Sequence, residues 1–280
     1  MPDADEIRDG QRAAWAGLAP GWDRWDSIIM DQLGPVGAAM IERLDLSEQQ
    51  QHLDIASGTG EPGLTIARLV PSGRVMLTDL APEMLEIASR RAATQGIANI
   101  ETTTCSADDL PFDDATFDSV SVRFGYMFFP DMAKATAEFV RVLRSGGRLC
   151  SSVWVRPDEN PWTAIALGAI ATETALAPPD SDRPNMFRCG SEGLVSGLYV
   201  NAGLHDVAEW DVGVELVTES AEQYWDMISE HVSLAVQALQ HVDEAARDRI
   251  RTLAIARASE FERDGRIRVS GMARCIVGTK

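Results

Sequence analysis

The sequence predicts an α/β fold: a doubly wound sheet, mostly parallel with a final antiparallel strand, plus helical cap elements. Three observations predict it. Short apolar runs alternate with helix-length segments between residues 50 and 155, and strand–helix–strand alternation at that spacing implies a parallel sheet covered on both faces. A glycine-rich turn follows the first apolar run. After Pro157 the rhythm changes to longer helical stretches, with a last alternating run near the end.

Each element has its own signal. Residues 11–45 read as helical, because Trp15, Leu18, Trp22 and Trp25 recur at helical spacing around a break at Pro20-Gly21. Leu53-Asp54-Ile55-Ala56 reads as a strand, followed by the turn and a helix through Leu69. Val75-Met76-Leu77 is the next strand. A helix from Pro82 to Gln95 has Pro at its start and Gly96 at its end, as capping asymmetry predicts. Ile100 to Cys105 and Phe117 to Val122 are strands, Met132 to Leu143 a helix, and Leu149 to Val155 a strand. Trp162 to Leu176 looks helical and precedes a loop with Pro178, Pro179 and Pro184. Ser191 to Asn201 is helical, Val207 to Val217 alternates like a strand, residues 219–263 are helical, and Ile267 to Val277 is the final strand.

Composition bounds the partners. The chain has 280 residues, long enough for one large domain with a sizeable core. Its net charge of −18 repels phosphate backbones and anionic lipid headgroups, so neither nucleic acid nor a membrane surface is an expected partner. Cys105, Cys150, Cys189 and Cys275 form no CxxC pair, so no metal site is expected. The acidic stretch from Met1 to Gly10 lacks the features of a signal peptide, and no apolar run approaches the roughly 20 residues that span a bilayer. A cytoplasmic protein is the expectation. Oligomeric state, a homodimer included, stays open.

Gly58-Thr59-Gly60-Glu61-Pro62-Gly63 fits G-x-G-x-x-G. Glycines there let the backbone turn sharply and approach a ligand at a helix N-terminus. Asp79 ends the next strand, where a carboxylate can accept both ribose hydroxyls. This much suits NAD and S-adenosylmethionine (SAM) alike, or a purely structural turn. Asp54 separates the two cofactors: a carboxylate near the loop suits the ammonium and sulfonium of SAM and would repel a pyrophosphate.

The run Leu53-Asp54-Ile55-Ala56-Ser57-Gly58-Thr59-Gly60 resembles motif I of class I SAM-dependent methyltransferases, an acid followed by x-(Gly/Ala)-x-Gly-x-Gly. Thr78-Asp79-Leu80-Ala81-Pro82-Glu83-Met84-Leu85 resembles their acidic strand end and "x-x-Met-Leu" helix. Ala107-Asp108-Asp109-Leu110-Pro111-Phe112 with Phe117-Asp118-Ser119-Val120 resembles "Ala-Glu-x-Leu-Pro-Phe … Phe-Asp-x-Val". Arg141-Val142-Leu143-Arg144-Ser145-Gly146-Gly147 resembles "Arg-Val-Leu-Lys-Pro-Gly-Gly". The four occur in order over residues 50–155. They resemble the branch containing the ubiquinone/menaquinone-biosynthesis and natural-product methyltransferases.

The resemblance implies a Rossmann-like fold and a SAM site built from Asp54, Ala56, Gly58, Thr59, Gly60, Asp79, Leu80, Met84, Ser106, Ala107, Asp108 and Arg123. Ser106 stands where members often have the Asp that binds the adenine amino group, so Ser106 or Asp108 would take that role. It also implies one methyltransferase domain over 1–280: an N-terminal helical lid (1–48), a SAM-binding core (49–156), cap helices with the sixth strand (157–265) and a last antiparallel strand (266–280).

The acceptor is expected to be a small aromatic or apolar molecule, methylated on oxygen or carbon rather than nitrogen. Trp15, Trp22, Phe124, Tyr126 and Trp154 are the candidates to line its pocket, with core packing as the alternative for each. Arg123 follows a buried strand at the sheet's carboxyl edge and is a candidate anchor. His231 is a candidate base, while His52 reads as structural. Asn160-Pro161-Trp162 lacks the second Pro of the amino-methylating Asn-Pro-Pro-Tyr motif and reads as a helix start. A SAM-binding protein without methyl transfer and an NAD-binding oxidoreductase are the alternatives.

Overall fold

The computed structural model describes residues 4–174 and 183–280. Two helices open the chain, α1 (Ala4–Arg24) and α2 (Asp26–Leu44). The core alternates as β1 (Gln51–Ile55), α3 (Gly63–Leu69), β2 (Arg74–Asp79), α4 (Pro82–Thr94), β3 (Ile100–Thr104), β4 (Phe117–Arg123), α5 (Met132–Val142) and β5 (Leu143–Trp154). Then come α6 (Pro161–Glu173), α7 (Leu194–Asn201), β6 (His205–Thr218), α8 (Ala221–His231), α9 (Ser233–Leu239), α10 (Glu244–Ser259), β7 (Glu262–Arg263) and β8 (Arg266–Thr279). Leu176, Pro178 and Pro179 lie outside the described residues.

The strands form one sheet in the order β3-β2-β1-β4-β5-β8-β6. β1 to β5 run parallel, and β8 inserts antiparallel between β5 and β6. The order reverses between β1 and β4, which brings the exits of β1, β2 and β4 to one carboxyl edge, the place where open α/β sheets bind ligands. Leu53 and Ile55 are buried on one face of β1, and His52 and Asp54 are buried on the other. Both faces are covered, as a parallel sheet requires.

Three expectations change. The helix break is not at Pro20-Gly21: α1 runs through Pro20 to Arg24, and the chain turns at Trp25. A side chain at position 21 would lie 2.3 Å from the Glu230 carbonyl oxygen, so glycine permits the close approach of α1 to α8. The helical region 219–263 is three helices, and Ser220 and Asp243 cap α8 and α10 by accepting from Gln223 N and Ala246 N. The short β7, unforeseen, pairs with β8.

α1 lies across the carboxyl edge of the sheet. Its Leu18 and Ala19 bury Ala81, Met84 and Ile87 at the start of α4. Ion pairs fasten it: Asp23 with Arg90 and Arg91 of α4, and Arg24 with Glu230 of α8, while Asp26 at the start of α2 also pairs with Arg91. α2 covers the other half of the sheet, against β4, β5, β8 and β6.

Candidate functional site

The glycine loop is built by left-handed backbone. Ala56, Gly58 and Gly60 have φ of 51°, 54° and 112°. The two glycines adopt these values at little cost. The loop is tied to the neighbouring strand: Ser57 N–H donates to the Thr78 carbonyl and Gly58 N–H to Asp79 Oδ2, each at 2.9 Å. Asp79 Oδ1 accepts from Ala81 N–H at 2.9 Å. Burial raises the Asp79 pKa against these backbone hydrogen bonds. The loop has an open face and one unsatisfied polar group. A Cβ at Gly58 would meet nothing within 4 Å, and the buried Ser57 hydroxyl has no partner.

Asp54 sits beneath the loop, fully buried. Its Oδ2 accepts from Gly63 N–H at 2.9 Å and its Oδ1 from the Ser121 hydroxyl. Burial pushes its pKa up to about 7, outweighing those hydrogen bonds and the charge of Arg123.

Ser106, Ala107 and Asp108 follow β3 and flank the loop. Their polar groups are engaged by a residue the sequence reading missed. Arg8 of α1 donates from Nε to Ser106 Oγ at 3.1 Å and from Nη2 to Asp108 Oδ2 at 3.2 Å. Burial alone would raise Asp108, but the Ser106 hydroxyl and the charges of Arg8 and Lys134 hold it below the usual carboxylate range. Leu80 is half-buried and Met84 buried nearby.

The exit of β4 carries the second half of the site. Phe124 has a left-handed φ of 57°, an uncommon conformation for a bulky residue. Its ring stacks on Trp154 at 4.3 Å, and Trp154 meets Trp162 at 5.1 Å. A separate aromatic row runs from Phe128 to Trp15 (5.0 Å), from Trp15 to Trp22 (6.2 Å) and from Trp22 to His231 (5.9 Å). The Trp22 indole N–H is buried without a partner. His231 donates from Nδ1 to the Met227 carbonyl at 2.7 Å, so Nε2 carries the lone pair. Burial pushes its pKa down to about 4, so the ring is neutral.

Arg123 is half-buried, touches Met30 Sδ at 3.6 Å, and lies in the field of Glu61, Asp54 and Asp26. Burial lowers its pKa, and those carboxylates oppose the shift. Tyr126 departs from the expectation of a pocket residue. It is fully buried among Phe129, Phe139 and Tyr199, with its hydroxyl bonded to Thr136 Oγ1 at 3.0 Å. The chain turns into a single 3-10 turn at Tyr126–Phe128, which sends this ring into the core instead of the edge.

Asn160 precedes α6 as expected. Its side chain is spent on β8, donating to the Met272 carbonyl and accepting from Met272 N–H, each at 3.0 Å. The four cysteines are unpaired. Among the described residues no acidic, histidine or cysteine cluster could hold a metal, and no helix is long and apolar enough to cross a membrane.

Known proteins resemble this chain in sequence or in fold. A ubiquinone/menaquinone biosynthesis C-methyltransferase of Hahella chejuensis is 42% identical over 165 residues, covering 56% of this chain and 61% of its own. An uncharacterised protein of Mycobacterium tuberculosis is 34% identical over 236 residues, 80% of each chain. The crystal structure of the YcgJ protein of Bacillus subtilis shares the fold, with TM-score 0.56 and 21% identity over 87% of this chain and 97% of that one. The chain spans 43% to 61% of the length of the first four curated methyltransferases it matches. Residues 21–163, from the end of α1 through all four motifs to the start of α6, match a single family, and the chain belongs to it: the ubiE/COQ5 methyltransferase family.

Proposed function

We propose that this protein transfers the methyl group of SAM to a hydroxylated aromatic small molecule, on ring carbon or oxygen. The observation that carries the reading is the glycine loop: an open face at Gly58, an orphaned Ser57 hydroxyl and Asp79 at the adjoining strand end. Asp79 would accept the ribose hydroxyls while still holding the loop. Gly58, Thr59 and Gly60 would lie against the methionine part, and Leu80, Met84 and Ala107 against the adenine. Ser106 or Asp108 would accept from the adenine amino group.

SAM bound there supplies a methyl group already activated by its sulfonium. The protein's task is alignment and exclusion of water. Phe124, backed by the buried Trp154, would offer the acceptor a flat apolar face, and Trp15 and Trp22 on α1 would close over it. Arg123 would hold an oxygen bearing negative charge, and neutral His231 would accept a hydrogen bond from a hydroxyl. The names of the quinone-pathway relatives favour ring carbon as the nucleophile.

Two steps test the reading. SAM, S-adenosylhomocysteine (SAH) and NAD are titrated calorimetrically; tight SAH and absent NAD binding are expected, and the reverse would turn the reading to an oxidoreductase. Labelled SAM is then offered with 1,4-naphthoquinol, phenols, amines and tRNA. Turnover of an aromatic hydroxyl compound is expected. Transfer to tRNA alone would overturn the proposal, and binding without any transfer would leave a SAM-binding protein.

Arg8 makes a further prediction. Arg8→Ala should raise amide exchange along α1 and weaken SAH binding several-fold, since a charge-assisted hydrogen bond contributes about 1–3 kcal/mol. Unchanged exchange in α1 would mean that Arg8 does not fasten the lid.

A further inference from the structure

Beneath the glycine loop runs a continuous chain of buried polar groups that the proposed reaction does not use. β1 and β4 pair with His52 opposite Ser119 and Asp54 opposite Ser121, so all four side chains share one face of the sheet. His52 Nδ1 lies 2.8 Å from Ser119 Oγ, and His52 Nε2 lies 2.9 Å from Ser121 Oγ. Ser121 Oγ reaches Asp54 Oδ1, and Asp54 Oδ2 holds the Gly63 N–H that opens α3. At the far end Ser119 Oγ lies 3.4 Å from Gln50 Oε1. All four residues are 0% exposed.

This chain can be satisfied in two directions. With Asp54 ionised, the Ser121 hydroxyl donates to Asp54 and accepts from His52 Nε2–H, while Nδ1 accepts from Ser119. With Asp54 protonated, every bond reverses: Asp54 donates to Ser121, Ser121 to Nε2, Nδ1–H to Ser119, and Ser119 to Gln50. Neither state strands a buried donor or acceptor, so the large penalty for an unpaired group is avoided in both. The serine hydroxyls reverse by rotating, and the histidine ring reverses while staying neutral by changing tautomer.

We propose that His52 is a positioning residue which, by changing tautomer through Ser121, lets Asp54 change its protonation with the charge of the bound cofactor without stranding a buried polar group. The inference rests on the SAM reading of the loop. A sulfonium and an ammonium arriving above Asp54 favour its ionised form and release a proton. SAH lacks the sulfonium and releases less. The charged groups facing Asp54 are Arg123 at the end of β4 and Glu61 in the loop, with Asp26 of α2 beyond Arg123. Burial pushes the Asp54 pKa up to about 7 and keeps His52 neutral, its pKa pushed down to about 3. The sign follows: binding that releases a proton tightens as pH rises, so SAM affinity should increase through about pH 7 and level off above it.

The test combines calorimetry and nitrogen NMR on the full chain. SAM titrated at pH 7 in buffers of different ionisation enthalpy should release about half a proton, SAH less, and Asp54→Asn none. Histidine 15N spectra should show the proton of His52 moving from Nδ1 to Nε2 as pH is raised, and again when SAM is added at pH 7. Ser121→Ala should break the relay, leaving the His52 tautomer indifferent to pH and SAM. The spectra of the wild-type chain decide the matter even where the core variants fold poorly. Binding with no proton released, or a His52 tautomer that never changes, overturns the coupling alone. Failure of both SAM and SAH to bind overturns the cofactor reading and the coupling with it.

Discussion

Gly58→Val is expected to weaken SAM and SAH binding by at least about 100-fold, or roughly 2.7 kcal/mol, while the far-UV circular dichroism stays native. The open space beside Gly58 is where the ligand would lie, and an isopropyl group there would occupy it. The φ of 54° also forces a β-branched residue into left-handed backbone, which it adopts only under strain. Relief of that strain would rotate the Gly58 N–H away from Asp79 and deform the loop even where the side chain is accommodated. Gly58→Ala separates the contributions: a methyl group retains most of the strain and little of the bulk, so intermediate affinity is expected. Retained binding in a folded valine variant would place the cofactor elsewhere.

Asp79→Ala is expected to lower both cofactor affinity and stability. In the folded chain Asp79 already holds Gly58 N–H and Ala81 N–H, so removing it strands two donors in a buried corner. Each costs about 1–3 kcal/mol when unpaired. Thermal unfolding should therefore shift down by several degrees or more. SAH affinity should fall about 10- to 100-fold, since the ribose hydroxyls lose their acceptor and the loop its tether. Asp79→Asn keeps one acceptor oxygen and should fall between. A stability loss with unchanged SAH affinity would confine Asp79 to holding the loop.

The sheet was legible because most core strands are short apolar runs between turn residues, and the first two motifs lie at the exits of β1 and β2, where sequence spacing maps directly onto space. The glycine loop and Asp79 are joined by the Gly58 N–H bond, and the Cys105 N–H bond to the Asp79 carbonyl brings in the segment that leads to Ser106. Other residues were hidden for physical reasons. Arg8 is one charge on an acidic, polar helix, and nothing local announces that α1 folds back over a site about a hundred residues away. His52 read as structural because its meaning lies in cross-strand register, which pairs it with Ser119 and Ser121 only once β1 and β4 are aligned. Those serines, spaced by two within an apolar strand, were the available signal. Tyr126 was misplaced because a 3-10 turn, not an extended exit, follows Phe124. Pro20 looked like a break, yet a helix survives one proline when tertiary contacts on both sides hold it.

The insertion of β8 between β5 and β6 has a consequence for synthesis on the ribosome. Among the described residues β6 pairs in the sheet with β8 alone. When β6 emerges, the strand that completes it is still untranslated by three helices' length. At on the order of ten residues per second, a fourteen-residue strand waits some seconds with both edges bare. Bare edges invite pairing with other nascent chains. Asp206, Asp211 and Glu215 are exposed along it, and their mutual repulsion between copies guards the interval before Arg274 and Arg268 of β8 arrive to neutralise Asp211 and Glu215.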